Sequence, residues 1–160
     1  MSDFIISPEN VDNHVQYDDA TGLVRVRFNP RWKWRLVTRI NRGYLRVQLS
    51  KGIYYAHRLA WLSFYGAWPV GQIDHINGNK IDNRMANLRD VPASINRQNQ
   101  HNPMRGNSIG ILGVRRSGMK FETSICVEGK GVWLGTFESA EEAQSEYFKA
   151  KRIYHPGFTG

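Results

Sequence analysis

The segment at residues 73–96, IDHINGNKIDNRMANLRDVPASIN, constrains the fold of this chain more than any other. Its Asn77-Gly78 pair lies between flanks that contain Ile and Val, which predicts a tight turn because both residues tolerate a positive φ. Pro92 suits the first turn of a helix, since proline has a fixed φ and no N–H to leave unpaired. The predicted order is therefore a strand, a turn-rich loop, a strand over residues 88–91 and a short helix that carries Asn96.

The polar side chains of this segment are suited to metal-assisted chemistry on a phosphate. Asp74 and the amide oxygen of Asn96 are hard ligands, appropriate for Mg²⁺ or Mn²⁺ and poor for a structural zinc. A neutral His75 can accept a proton from an attacking water near neutral pH. An amide such as Asn87 can accept from one imidazole N–H and so fix the tautomer. Adjacent strand residues point to opposite faces, so a bulge or the strand end has to re-aim Asp74 or His75.

A plainer interpretation of the same segment stays open. Stretches rich in Asp, Asn and Gly are often solvated loops whose side chains cap their own backbone. The ordered spacing, followed by a helix that carries Asn96, favours a catalytic site.

The spaced polar residues of this segment resemble the HNH endonucleases of the phage and intron-encoded homing type, in which an asparagine replaces the last histidine. The matching residues are Asp74-His75-Ile76-Asn77-Gly78-Asn79, Asp82-Asn83, Asn87-Leu88-Arg89 and Asn96, and upstream His57-Arg58-Leu59-Ala60-Trp61 looks like the lead-in common in that group. The resemblance implies a ββα-metal fold with one divalent cation, held by Asp74, Asn96 and the scissile phosphate. It also implies that His75 is the general base, and that Asn87 orients it and braces the loop.

The charge of the chain is consistent with a polyanionic partner. Lys plus Arg number 22 against 14 Asp plus Glu, a net charge of +8. Residues 74–96 carry 3 basic and 3 acidic side chains, whereas residues 1–73 carry 10 and 5 and residues 97–160 carry 9 and 6. A neutral centre with cationic flanks is expected if the flanks hold DNA while the centre cuts it.

The N-terminal third predicts a small basic sheet. Residues 1–20 predict a tail, and apolar alternation then predicts strands at residues 21–28, 35–40, 44–49 and 53–56 in one antiparallel sheet. We assign residues 1–56 to a β-rich region that contacts DNA, with Arg25, Arg27 and Arg35 as candidate phosphate contacts. The alternative is a half-buried sheet whose wet face happens to be basic.

The central region is predicted to hold the nuclease core. Residues 57–65 have apolar side chains at helical spacing and stop at Gly66, which predicts a helix under the ββα unit. His57 is open to two interpretations, as a second catalytic histidine or as a structural residue at the start of this helix. We place the core at residues 57–100 and a polar linker at residues 101–108.

Residues 109–160 predict three strands followed by a helix that begins after a serine cap at Ser139. Two strands and the start of the helix resemble the AP2-type DNA-binding domain. The matching stretches are Gly113-Val114-Arg115-Arg116, Trp133-Leu134-Gly135-Thr136-Phe137 and Ala140-Glu141-Glu142-Ala143. The resemblance implies that the sheet enters the major groove, with Arg115, Arg116, Lys120 and Trp133 as the contacting residues. Arginines on strands can bond guanine in a bidentate manner.

Cys126 is the only cysteine, which excludes an intramolecular disulfide and a cysteine-rich zinc site. Its place in an apolar alternation predicts a buried side chain. The sequence shows no signal peptide and no apolar run of membrane length, which predicts a cytoplasmic protein without a membrane partner, in the host bacterial cytoplasm if a phage encodes it.

Together these patterns predict an α+β chain that acts as a DNA endonuclease dependent on Mg²⁺ or Mn²⁺. One site per chain predicts that a monomer nicks one strand of double-stranded DNA, leaving a 5′-phosphate and a 3′-hydroxyl; paired cuts need a dimer or two visits. Two alternatives stay open: a non-catalytic, sequence-specific DNA-binding regulator, and a nuclease that acts on RNA.

Overall fold

The computed structural model describes residues 4–50, 52–103 and 106–160. The chain divides into two compact units, Met1–Pro92 and Ala93–Gly160. Helices and small antiparallel sheets occur in both units, so the predicted mixture of α and β structure is confirmed.

The first unit begins with structure that the sequence did not predict. Residues 1–20 were expected to form a tail, but the described part of that segment contains α1 (Val11–His14) and β1 (Val15–Asp18). Ile6, Val11 and Val15 are buried in the core, and the ring of Phe4 stacks on His14 at 4.0 Å between centroids. The tail prediction is wrong because these few apolar residues show no local period and are ordered by contacts with distant parts of the chain.

Two small sheets replace the single predicted one. The first sheet pairs β1 with β2 (Leu23–Val26) and β2 with β3 (Arg35–Leu36), and the second contains β4 (Ile40–Asn41), β5 (Tyr44–Leu49) and β6 (Gly52–Tyr55). The predicted strand at residues 35–40 is divided between the two sheets. Val37 is buried and its N–H still donates to the Val24 carbonyl of the first sheet, whereas Ile40 already pairs in the second. A turn joins β4 to β5, with positive φ at Arg42 and Gly43.

The helix α2 (Ala56–Tyr65) ends at Gly66, as predicted, where φ of 68° makes the left-handed cap that glycine tolerates. Its buried face is formed by Leu59, Ala60 and Leu62. Two strands follow, β7 (Gln72–His75) and β8 (Leu88–Val91), with a 3₁₀ turn (Met85–Asn87) just before β8. Ile73 and Leu88 belong to the same buried cluster as the α2 residues, so the two strands are anchored to the main core of this unit.

The second unit contains the predicted three strands and helix. It begins with α3 (Ala93–Gln98), continues through β9 (Val114–Ser117), β10 (Lys120–Val127) and β11 (Lys130–Phe137), and closes with α4 (Ala140–Tyr154). The sheet order is β11-β10-β9. Ser139 forms the expected capping box with Glu142, and Ala140, Ala143 and Ala150 lie on the buried face of α4.

The prediction that Cys126 is buried is wrong. Thr123 and Ile125 on β10 are buried, so their side chains occupy the covered face of the sheet. Because side chains alternate along a strand, Cys126 lies on the opposite face and is exposed. Apolar alternation gave the correct strand but the wrong phase.

Lys151 gives this unit a pH-dependent stability. It is 1% exposed, its Nζ donates to the Gln100 carbonyl, and burial lowers its pKa from 10.5 to about 8. Between these two pH values the unfolded chain binds a proton that the folded chain does not, so the free energy of unfolding rises with pH. We expect the melting temperature to rise more between about pH 7.5 and about pH 9.5 for the wild type than for Lys151→Met. An equal response of both proteins to pH would contradict this assignment.

Candidate active site

The residues of the predicted site that belong to the first unit lie on β7, on β8 and in the loop between them. In the antiparallel register Asp74 is opposite Arg89 and His75 is opposite Leu88. Asp74 and His75 are both buried, at 5% and 4% exposure. His75 is the last residue of β7, and its carbonyl accepts from Gly78 N at 2.8 Å, where φ of 71° closes the expected turn. β7 therefore ends at His75. This is the strand end that was expected, since Asp74 and His75 are adjacent and one of them has to leave the alternation of the strand.

Asp74 forms an ion pair across the two strands. Its Oδ2 lies 2.7 Å from Arg89 Nη2 and accepts from Arg89 Nε at 2.8 Å. Both bonds reach the same carboxylate oxygen. The guanidinium supplies a positive charge that compensates the negative charge of the buried carboxylate.

His75 is held in its neutral form by its surroundings. Burial is the largest influence on it and lowers its pKa below the ordinary value of 6.5. Its Nε2 lies 3.2 Å from Oδ1 of Asn83, a residue that is 1% exposed and whose Nδ2 donates to the Ile81 carbonyl. An amide oxygen only accepts, so Nε2 carries the imidazole proton and Nδ1 is the basic nitrogen.

His57 belongs to a cluster of rings, with Tyr44 and Tyr55, that packs beside His75. Its ring is perpendicular to that of His75 at 5.3 Å and is stacked with Tyr55 at 5.5 Å. It is buried, which lowers its pKa to about 3, and its Nδ1 has no hydrogen-bond partner among the described residues. Tyr44 is the third member of the cluster, and its ring centre lies 5.8 Å from that of His75. Burial of the imidazole among aromatic rings is in keeping with the structural interpretation of His57.

Asn87 braces the loop between β7 and β8. Its Oδ1 accepts from Asn77 N at 2.9 Å, and its Nδ2 donates to the Asp82 carbonyl at 2.8 Å. The amide that bonds the imidazole is Asn83, whereas the sequence favoured Asn87 for that role. The Asp82-Asn83 pair stands in the motif, but the sequence offers two amides and only the folded loop decides between them.

Asn83 is thus a residue whose substitution should slow any reaction that depends on His75. We expect Asn83→Ala to reduce DNA cleavage by roughly 10- to 100-fold, because the imidazole loses the acceptor that fixes its tautomer and ring plane. Single-turnover cleavage assays measure the loss. Asn83→Asp keeps the acceptor and should retain more activity than Asn83→Ala; equal losses in the two variants would argue against the role.

The remaining ligand candidate, Asn96, lies on α3 in the second unit and is partly buried. Among the described residues, no cluster of three or more His, Cys, Asp or Glu side chains has the arrangement of a metal site. A cation held by one carboxylate, one amide oxygen and a substrate phosphate does not need such a cluster. The carboxylate oxygens of the buried Asp74, beside the His75 imidazole, are of the kind that a hard divalent cation prefers.

The basic candidates of the first unit differ in their surroundings. Arg27 donates from Nε to the Asn13 carbonyl and from Nη1 to the Pro30 carbonyl, and its guanidinium lies 4.3 Å from the Trp34 ring centre. Its N–H groups therefore connect two backbone segments of this unit. Arg35 is exposed on β3 and Arg25 is half-buried on β2.

The candidates of the second unit lie on or beside an exposed part of its sheet. Arg115 pairs with Glu122 at 2.7 Å, and its guanidinium lies 5.9 Å from the ring of Trp133, which is 54% exposed. Lys120 pairs with Glu138 at 2.6 Å. Arg116, also exposed, donates to the Gly118 carbonyl. Neighbouring carboxylates thus offset part of the positive charge of this surface.

The sequence model of the HNH endonuclease family matches residues 54–98. This range runs from β6 through α2, β7 and β8 to the end of α3, and contains all four candidate catalytic and metal-binding residues. The match supports an HNH endonuclease and, with it, nuclease activity on DNA. The match does not extend to β9, β10, β11 and α4. It therefore does not support the resemblance of these elements to the AP2 domain.

Comparisons with curated proteins and with solved structures gave no match. No helix in the described ranges is both long enough and apolar enough to cross a membrane.

Proposed function

We propose that this chain is a divalent-metal-dependent endonuclease that nicks double-stranded DNA. The observation that best supports the proposal is the buried Asp74–His75 pair at the end of β7, inside the residues that match the HNH family. A solvated loop does not need a carboxylate and an imidazole that are both shielded from water, since each loses hydration by burial.

His75 acts as the general base in this proposal. Its neutral Nδ1 takes a proton from a water molecule, which then attacks the phosphorus in line. Asn83 keeps the proton on Nε2, and the ring of His57 limits the rotation of the imidazole. Asn87 holds the loop that contains Asn83.

Asp74 and Asn96 are the proposed protein ligands of one Mg²⁺ or Mn²⁺, and the scissile phosphate supplies a further oxygen. The bound cation would stabilise the charge that develops on the phosphate and on the leaving 3′ oxygen. The products are a 5′-phosphate and a 3′-hydroxyl. A single site of this kind per chain nicks one strand, and the proposed active species is a monomer.

The same chain carries surfaces suited to holding DNA outside the site. Arg25 and Arg35 in the first unit, and Arg115, Arg116, Lys120 and Trp133 in the second, are the proposed contacts. Arg27 has a weaker case, because its donors already bond the backbone.

A labelled duplex tests the proposal against its rivals. We expect purified protein with Mg²⁺ to nick one strand of a DNA duplex and a DNA ligase to reseal the nick, since ligation requires a 5′-phosphate beside a 3′-hydroxyl. Binding without cleavage would support the DNA-binding regulator, and preferential cutting of an RNA duplex of the same sequence would support the RNA-acting nuclease.

A further inference from the structure

We infer that the last residues of the chain, residues 155–160, hold α3 in place and so position Asn96. This inference rests on the proposed function, because Asn96 matters for cleavage only if it is a ligand of the site. Residues 155–160, which follow α4, are called the C-terminal tail below.

The helix α3 requires external support. It has six residues and none of them is buried. Isolated helices much shorter than about 12 residues are marginal in water, because the cost of nucleation is not recovered by so few hydrogen bonds. Contacts made by the residues at its end therefore contribute to holding Asn96 in place.

The tail supplies hydrogen bonds to the end of α3. Gly157 N donates to Oε1 of Gln98 at 2.9 Å. Thr159 donates twice to Oδ1 of Asn99, from its N–H at 3.2 Å and from Oγ1 at 2.8 Å. Asn99 is 4% exposed, and its own N–H donates to the Asn96 carbonyl at 3.2 Å. The residue that receives the tail is thus bonded directly to the backbone of the proposed ligand.

Aromatic and cationic contacts fasten the tail to α4. The ring of Phe158 stacks on Phe148 at 5.7 Å with an angle of 10° between the planes, and lies 5.7 Å from His101. Lys151 Nζ lies 4.3 Å from the Phe158 ring centre and also donates to the Gln100 carbonyl. The segment after α3 and the tail are therefore both fastened to the helix that covers the sheet.

The contact at Gly157 leaves no room for a side chain. A Cβ at this position would overlap the carbonyl oxygen of Ile95 in α3 and lie 3.0 Å from Gln98 Oε1. Gly157 is outside the left-handed region, so its backbone conformation itself permits alanine. Gly157→Ala consequently separates the tail from α3 without other local strain. Gly106→Ala is the matched control, since a Cβ there meets nothing within 4 Å.

The test compares wild type, Gly157→Ala and Gly106→Ala in the full chain by three measurements. Hydrogen exchange of the Asn99 amide reports the order of α3, DNA affinity in EDTA reports binding, and single-turnover nicking in Mg²⁺ reports the site. We expect Gly157→Ala alone to exchange faster and to nick roughly 10-fold more slowly or worse, with DNA affinity unchanged. Thr159→Val should show a smaller effect of the same kind, and Thr159→Ser should restore wild-type behaviour.

The outcomes separate this inference from the proposed function. If the wild type nicks and Gly157→Ala nicks at the same rate with unchanged exchange, the positioning role is overturned and the nuclease stands. If the wild type never nicks, the nuclease proposal fails, and the exchange rate alone decides whether the tail orders α3.

Discussion

We expect His75→Ala to lose DNA cleavage by about 100- to 10,000-fold while it still binds DNA. The reason is geometric and electronic: burial keeps the imidazole neutral, and Asn83 holds the proton on Nε2, which makes Nδ1 the base. Alanine removes that base and leaves the strand register of β7 and β8 intact, since backbone bonds form the pairing. Single-turnover nicking and DNA affinity measure the two properties separately.

Ile81→Ala is the matched control for this experiment, because the Ile81 side chain is exposed on the same loop and Ile81 is not among the residues that match the HNH pattern. It should nick at nearly the wild-type rate. Added imidazole should restore part of the activity of His75→Ala if the lost group is a proton acceptor. Cleavage that survives His75→Ala at the wild-type rate would assign the base to another residue.

Asp74→Asn should abolish cleavage and also destabilise the first unit. The carboxylate is the proposed cation ligand, and loss of that ligand removes several kcal/mol of charge stabilisation, or about 100-fold or more in rate. The substitution also leaves Arg89 without the anion that it contacts at 2.7 Å, which costs about 2 kcal/mol or more in stability. Chemical denaturation measures the second effect independently of activity.

The double variant Asp74→Asn with Arg89→Gln separates the two roles of Asp74. Replacing both partners removes the unpaired charge, so the free energy of unfolding should recover relative to Asp74→Asn. Cleavage should remain lost, because the ligand is still missing. A double variant that regains cleavage together with stability would show that Asp74 acts only through its ion pair.

Elements with a local cause could be predicted from the sequence. The turn at Arg42 and Gly43 fixes the start of β5, Gly66 ends α2, and the Ser139 capping box starts α4. In each case a few neighbouring residues determine the backbone conformation. The central strand, loop and strand were predicted for the same reason.

Features that depend on distant contacts were not predictable in this way. The ordered structure of residues 4–18 depends on burial of residues such as Ile6 against distant segments. The phase of β10 depends on α4, which packs against it. The choice of Asn83 over Asn87 as the partner of His75 depends on how the loop folds back. Asn96 was a candidate from its amide chemistry and from its match to the HNH pattern. The contacts between the tail and the end of α3 could not be predicted, because they join residues far apart in the chain.

Relaxation of supercoiled plasmid is the most direct test of the proposed nuclease. Purified wild-type protein would be incubated with plasmid in Mg²⁺, in Mn²⁺ and in EDTA, and the topological forms counted over time. We predict open circles that accumulate with either cation and none in EDTA. Plasmid that is bound but stays supercoiled with both cations, or nicking that continues in EDTA, would contradict a metal-dependent DNA nuclease.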